Sequence, residues 1–468
     1  MGAVDPTRES SEAIFPRLQS GRQTMSTESI ARHQKARLQG AMVEAVARRG
    51  FADTTLRDLV SLAGVSKATF YQLFDSKQDC FISTFDEIVA ELSRRVIESY
   101  RRPGDFRQKL LAALDTFMEI TVEHPDAAAL AAVESLTLGP AGVEHRERAS
   151  IAFETLVGQS FDHSPSSLPV SPVTVRALVA GVRGIAYRRL RSGEERELPG
   201  LVEELVDWGL SYQRSPSELV EAALSAAAEP VPRDEPEAGG SDDAPGWTEP
   251  PDSPWSRRSL SQRERVVRAS ARLAVEHGYG ALSIPAISAA AGVSNKTFYE
   301  HFESKREAFL TAFELLAGKA FADVSRAMDA AGPRANGIGL RAMLEHVAAN
   351  ELFARLAFFE LQAAGPTALD RADAVLDAFT ALIRLAPDSE APAAEPGPVI
   401  REAVGSGIWA VIQHEIAHGR RAQLPQLAPV VVWLAMAPLE EAAALGGGAP
   451  EERALQAAAR RRASSSPT

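Results

Sequence analysis

A chain of 468 residues is too long for one small core and calls for two or more domains. Its 45% hydrophobic and 24% charged fractions are those of a globular protein, and long Ala- and Leu-rich runs without alternation favour helices over strands. The single cysteine, Cys80, excludes an intramolecular disulfide and a multi-cysteine metal centre, and no uninterrupted apolar stretch reaches bilayer length.

The polar, mixed-charge start of the chain has no signal-peptide core, so a cytoplasmic, nucleoid-associated protein with no membrane partner is expected. A net charge of -12 argues against a nucleic-acid binder until it is divided by segment. From Ile30 to Lys77 eight Lys and Arg face four acids, and from Arg257 to Arg306 nine face four. Screening makes this local balance the one a phosphate feels.

Residues 1–29 read as a loose N-terminal segment. From Arg37 to Arg49, Leu38, Ala41, Met42, Ala45 and Val46 fall at helical spacing, and Gly50 ends the helix. Thr54 and Thr55 offer N-cap oxygens to a second helix whose Leu56, Leu59, Val60 and Ala63 face inward. Gly64 supplies a tight turn, Ser66 caps a third helix from Lys67 to Phe74, and Ser76 opens a fourth. Helix, glycine turn, helix is the helix-turn-helix pattern, whose second helix reads the major groove of double-stranded DNA.

The same story is told twice. Gly50 to Phe81 overlays Gly278 to Phe309 without a gap at an offset of 228, with Gly64/Gly292, Ser66/Ser294, Thr69/Thr297, Tyr71/Tyr299 and Lys77/Lys305 among the identical pairs. Further on, Glu134, Pro172, Gly181 and Leu198 match Glu360, Pro398, Gly407 and Leu424 at an offset of 226. Whole domains are duplicated. The expected organisation is helix-turn-helix domain 1 over 30–80, helical domain 1 over 81–218, an acidic Pro/Gly-rich linker over 219–257, helix-turn-helix domain 2 over 258–308, helical domain 2 over 309–445, and a loose tail over 446–468.

The segments GVSKATFYQLFDSKQDCF and GVSNKTFYEHFESKREAF resemble the signature of tetracycline-repressor-type (TetR/AcrR) regulators. The resemblance covers about 45 residues in each half. It implies an all-α fold of two tandem units, each a three-helix DNA-binding domain followed by a helical dimerisation and effector domain. It also implies a repressor released by a small-molecule effector, with no enzymatic activity and no cofactor. DNA-contact roles carry over to Thr55, Ser66, Lys67, Thr69, Tyr71 and Lys77, and to Ser283, Ser294, Asn295, Thr297, Tyr299 and Lys305. Of these, Lys67 and Asn295 are the expected base readers, Tyr71 and Tyr299 backbone contacts, and Lys77 and Lys305 phosphate contacts. Phe70, Phe74, Phe298 and Phe302 are expected in the module core. Pro285 stands where the first half has Arg57, which removes one possible phosphate contact.

Glu134 and Glu360 sit within apolar helices and are candidate effector-pocket groups; the plainer reading, which carries more weight, is an acid hydrogen-bonding between helices. His414, Glu415 and His418 fit the His-Glu-x-x-His expression of zinc hydrolases. The matching segment of the first half, Arg188 to Ser192, has no such ligands, so no metal is expected; a hydrolase and an effector sensor with one degenerate DNA-binding module are the rival readings. The halves pair either within one chain, as a pseudo-dimer, or as a homodimer, through Pro172 to Arg191 with Leu198 to Tyr212 and Pro398 to His418 with Leu424 to Ala437. Because the recognition helices differ at Lys67/Asn295, Ala68/Lys296, Gln72/Glu300 and Leu73/His301, an operator with two unlike half-sites is expected.

Overall fold

The computed structural model describes residues 27–164, 169–213, 218–228, 260–329, 335–381 and 397–444. The described residues are helices, 3-10 turns and connections, with no strand. The first unit comprises α1 (Thr27–Asp53), α2 (Leu56–Ala63), α3 (Lys67–Leu73), α4 (Lys77–Tyr100), α5 (Phe106–Glu123), α6 (Pro125–Ala132), α7 (Pro140–Asp162), α8 (Pro172–Ser192), α9 (Val202–Ser211) and α10 (Glu218–Ala228). The second comprises α11 (Gln262–His277), α12 (Ile284–Ala291), α13 (Asn295–His301), α14 (Lys305–Asp329), α15 (Ala335–Ala349), α16 (Glu351–Arg355), α17 (Leu361–Ala363), α18 (Pro366–Ala381), α19 (Pro398–Ala417) and α20 (Ala428–Ala444).

Each head closes on aromatic residues. Leu38, Met42, Leu59, Phe70, Phe74 and Phe81 form the first core, and Val266, Ile287, Phe298, Phe302 and Phe309 take the same places in the second. A fully buried side chain of this size stabilises a fold by roughly 1.5–3 kcal/mol, which anchors the short α3 and α13 that could not stand alone.

The segment expected to be linker from 219 onward begins as helix. In α10, Val220, Ala223 and Ala227 line one buried face, which packs on α15 and α20 of the second unit. The Arg341 guanidinium donates to the Ala227 carbonyl at 2.6 Å, satisfying an orphan acceptor at the helix end. The reason is compositional: ELVEAALSAAA has high helix propensity and an apolar stripe, and the Pro/Gly-rich character starts only after it. Residues 229–257 of that linker, with 1–26 and 446–468 of the expected loose ends, lie outside the described residues; residues 27–29 belong to α1.

The two units meet along α8 and α19. A Cβ on Gly181 would lie 2.6 Å from the carbonyl oxygen of Ala403, and one on Gly407 would lie 2.6 Å from that of Ala177. These two contacts are exchanged by the offset of 226, so the crossing has an internal two-fold character, and only glycine permits the backbones to approach so closely. Around it, Tyr212 donates to the Leu434 carbonyl at 2.8 Å and receives the Trp208 indole N–H at 3.0 Å. On one flank Arg188 pairs with Asp377, Arg189 with Glu402, and Arg191 with Asp370 and Asp373.

Candidate nucleic-acid interface

Local hydrogen bonds build the reading heads. Thr55 caps α2: its hydroxyl accepts the Asp58 amide at 3.2 Å while Asp58 accepts the Thr55 amide at 2.9 Å. The Thr55 hydroxyl also donates to Asp58 Oδ2 at 2.7 Å, and this bond and the Thr55 amide, helped by Arg49 and Arg57, hold the Asp58 carboxyl below the usual carboxylate range. In the second head Ser283 caps α12, with Pro285 in its first turn, where a missing N–H costs nothing. Gly64 and Gly292 turn the chain at φ 60 and 63, a conformation that other residues adopt only with strain.

Ser66 then caps α3, its oxygen accepting the Thr69 amide at 3.0 Å, and Ser294 does the same for Thr297 at 3.0 Å. The result is a pair of short helices with their N-termini held outward. Lys67 and Tyr71 are exposed on α3, Asn295 and Tyr299 on α13, while Thr69 and Thr297 are half-buried. Tyr71 is 53% exposed and Tyr299 60%, although each ring packs edge-on against a fully buried phenylalanine, Phe70 or Phe298. An aromatic held open by the core beneath it is a candidate contact surface. Lys67 Nζ lies 5.8 Å from the Tyr71 ring centroid.

Lys77 and Lys305, expected at phosphates, are directed inward. Lys77 Nζ donates to the carbonyls of Phe51 and Thr54, both at 2.7 Å, and sits 4.3 Å from the Phe51 ring centroid. Lys305 Nζ donates to Leu282 at 2.7 Å and lies over Tyr279. Each ammonium staples the start of α4 or α14 to the connection before α2 or α12, and burial depresses the pKa of both. A helix-start lysine has a phosphate in reach only when no nearer carbonyls collect its protons, and the sequence carries no signal for those carbonyls.

Glu134 and Glu360 do not line the first unit's cavity. Glu134 accepts the Phe51 amide at 2.9 Å and Glu360 the Tyr279 amide at 2.7 Å, one residue after the glycines that break α1 and α11. Burial raises the pKa of both carboxyls and the amide hydrogen bond opposes it. Each is a tie between a helical domain and its helix-turn-helix head. Sequence reasoning also missed Arg37 and Arg265, which hold the turn: Arg37 donates to the Gly64 carbonyl at 3.2 Å, Arg265 to that of Ala291 at 2.9 Å. Their shared offset of 228 was the available signal.

A cavity of about 260 Å³ opens in the first helical domain, lined by apolar residues such as Phe85, Phe117, Phe153 and Trp208. Its polar lining includes Arg146 and Arg183. Burial, reinforced by Arg183, pulls the Arg146 pKa down to about 9, and its Nε has no hydrogen-bond partner among the described residues. Arg183 donates to Ser150.

The family of bacterial regulatory proteins, tetR family, matches the chain over residues 41–84 and again over 266–325. The HTH-type transcriptional activator FasR of Mycolicibacterium smegmatis is 32% identical over 84 residues, 18% of this chain and 38% of that protein. The fatty acid metabolism regulator protein of Bacillus subtilis is 26% identical over 108 residues, 23% of this chain and 54% of that protein. The chain thus spans about half, or less, of the length of these relatives. Among solved structures, the transcriptional regulator FadR of Bacillus subtilis, in complex with stearoyl-CoA, aligns with 37% of this chain and 97% of its own at 15% identity and a TM-score of 0.35. FadR of Bacillus halodurans aligns with 41% of this chain and 97% of its own at 14% identity and a TM-score of 0.36.

Proposed function

We propose that this chain, which belongs to the tetR family and carries its DNA-binding module twice, is a transcriptional repressor that binds one operator with both heads and is released by an apolar, acidic ligand. What carries the reading is the pair of capped recognition helices, each with an exposed tyrosine propped on a buried phenylalanine, in the two locally basic segments of an acidic chain. Thr55, Ser66, Lys67, Thr69 and Tyr71 would contact the first half-site. Ser283, Ser294, Asn295, Thr297 and Tyr299 would contact the second.

The two heads work as an intrachain pair. The reciprocal Gly181 and Gly407 contacts and the docking of α10 on the second unit support this. Charge supports it further. Arg189 pairs with Glu402, and at the two-fold-related place Glu415, whose pKa is lowered chiefly by the Arg420 hydrogen bond, also feels the charge of Arg176. Pairing two first units would set Arg189 against Arg176, and pairing two second units would set Glu415 against Glu402.

The ligand reading rests on the cavity: a long apolar wall with a buried, incompletely satisfied guanidinium suits a fatty chain ending in a carboxylate or phosphate. One relative is named as a fatty acid metabolism regulator, which accords with a fatty ligand for this chain. The hydrolase reading lacks its base, since Arg420 grips both oxygens of Glu415 at 2.7 and 3.0 Å.

The test is binding-site selection with the full chain, followed by anisotropy titration with and without a long-chain fatty acid. An asymmetric site whose two halves respond separately to Lys67→Ala and Asn295→Ala is expected, with weaker binding when the lipid is present. A perfect palindrome would instead indicate a homodimer, and tighter binding with lipid would reverse the sign of regulation.

A further inference from the structure

The flank of the α8–α19 seam opposite the arginine cluster is built differently. There α7 of the first unit brings Glu147 against the last turn of α19 in the second, where His414 and His418 stand one turn apart. Glu147 Oε1 lies 3.1 Å from His414 Nδ1, and the two imidazole centroids are 4.0 Å apart. One ligand atom from each of the three residues falls within 4.8 Å of the others. His418 Nδ1 is 2.8 Å from the His414 carbonyl, which fixes its proton there and leaves Nε2 with its lone pair outward.

The internal two-fold shows how this flank differs, although Arg183 and Arg420 also lie within coulombic reach of Glu147. At an offset of 226, Glu147 corresponds to Asp373, His414 to Arg188 and His418 to Ser192. On the arginine flank the acidic group of α18 meets a permanent positive charge, as Asp373 pairs with Arg191 and Asp377 with Arg188. On this flank the arginine of the first repeat is replaced by histidine, and a second histidine follows one turn on. Two neutral imidazoles and a carboxylate form a nitrogen-rich donor set that suits a borderline divalent ion such as Zn²⁺, Ni²⁺ or Co²⁺, with water completing the coordination.

We propose that Glu147, His414 and His418 form a transition-metal site that clamps the first unit to the second. Bonds near 2.1 Å put neighbouring tetrahedral donors about 3.4 Å apart, so closure needs a modest rotation of the exposed His418 ring. Glu415, which completes the His-Glu-x-x-His expression, is no ligand, because Arg420 occupies it. The site is therefore structural, and its third ligand comes from the other half of the chain. This proposal stands whether or not the DNA-binding reading does.

The full chain, stripped with chelator, would be titrated with Co²⁺ while visible absorption is followed, then with Zn²⁺ in competition. One ion per chain is expected, with the thermal midpoint raised in its presence. Glu147→Gln and His418→Ala should each weaken binding by roughly tenfold or more and abolish the metal-induced shift, whereas His277→Ala, far along the sequence and exposed, should change neither. Melting of each variant without metal checks that it is folded; should His414→Ala fail to fold, the other two decide. Loss of binding in His418→Ala with full binding in Glu147→Gln would reduce the site to a pair on one helix and overturn the clamp. So would affinity unchanged in all three variants, or no saturable binding.

Discussion

Glu134 Oε2 stands 2.9 Å from the amide nitrogen of Phe51, joining two groups 83 residues apart in the chain, and the second unit repeats the tie from Glu360 to Tyr279. A buried amide without an acceptor costs about 1–3 kcal/mol, so Glu134→Ala and Glu360→Ala should each destabilise by about that amount. Glutamine keeps an acceptor oxygen and should lose much less. Burial holds both carboxyls above the ordinary glutamate range. A raised folded-state pKa means that the folded chain keeps a proton the unfolded chain releases. That contribution to stability is complete below the ordinary glutamate range and is lost as pH rises through the folded value. Urea unfolding across the acidic range should therefore show a shallower fall in stability with rising pH in the glutamine variants than in the parent; equal slopes would remove these two groups from the pH dependence.

The inward-turned lysines separate stability from DNA contact. Lys77→Ala should cost about 1–3 kcal/mol through unpaired carbonyls and leave the salt dependence of DNA binding alone. Tyr71→Ala and Lys67→Ala should weaken DNA binding with little change in melting. A drop of about one in the salt slope on replacing Lys77 would restore it to a phosphate.

The seam charges predict a cycle. Glu402→Arg sets two guanidiniums together at Arg189 and should lower stability, while the double variant Arg189→Glu, Glu402→Arg should recover much of it. A coupling of about 0.5–3 kcal/mol is expected from chemical unfolding of the full chain, at the lower end because both groups keep some contact with water. Strict additivity would mean that the pair does not orient the two units.

In the cavity, Arg146→Leu should weaken a long-chain fatty acid by roughly tenfold to a hundredfold and leave the matching alcohol nearly unaffected, read by displacement of a fluorescent fatty acid. The ligand-free variant should melt no lower than the parent, because it removes a buried charge with an unsatisfied Nε. Equal loss for acid and alcohol would mean that the arginine shapes the wall rather than selecting the head group.

Much of the site was legible because it is local. Thr55 to Asp58 and Ser66 to Thr69 are closed by partners three residues away, so a linear string states them in full. Phe70 and Phe298 could be assigned to the core because helical spacing fixes their face. The duplication was equally plain. Where the reading failed, the deciding partner was remote. Lys77 finds carbonyls 23 and 26 residues back, and α10 is held by the other unit; for Glu134 the hydrogen-bonding role was the favoured reading, and only its partner, an amide 83 residues back, was not legible.

The amino-acid order by itself determined the helices of the described residues and the two capped short helices of the heads, because helix propensity, caps and glycine turns act over one or two turns. Only the tertiary structure decided which charged groups stay exposed on the heads, which tie head to body, and that Glu147 faces His414. Those outcomes depend on which carbonyl, amide or imidazole arrives first at a buried charge, and that is set by packing between segments far apart in the chain.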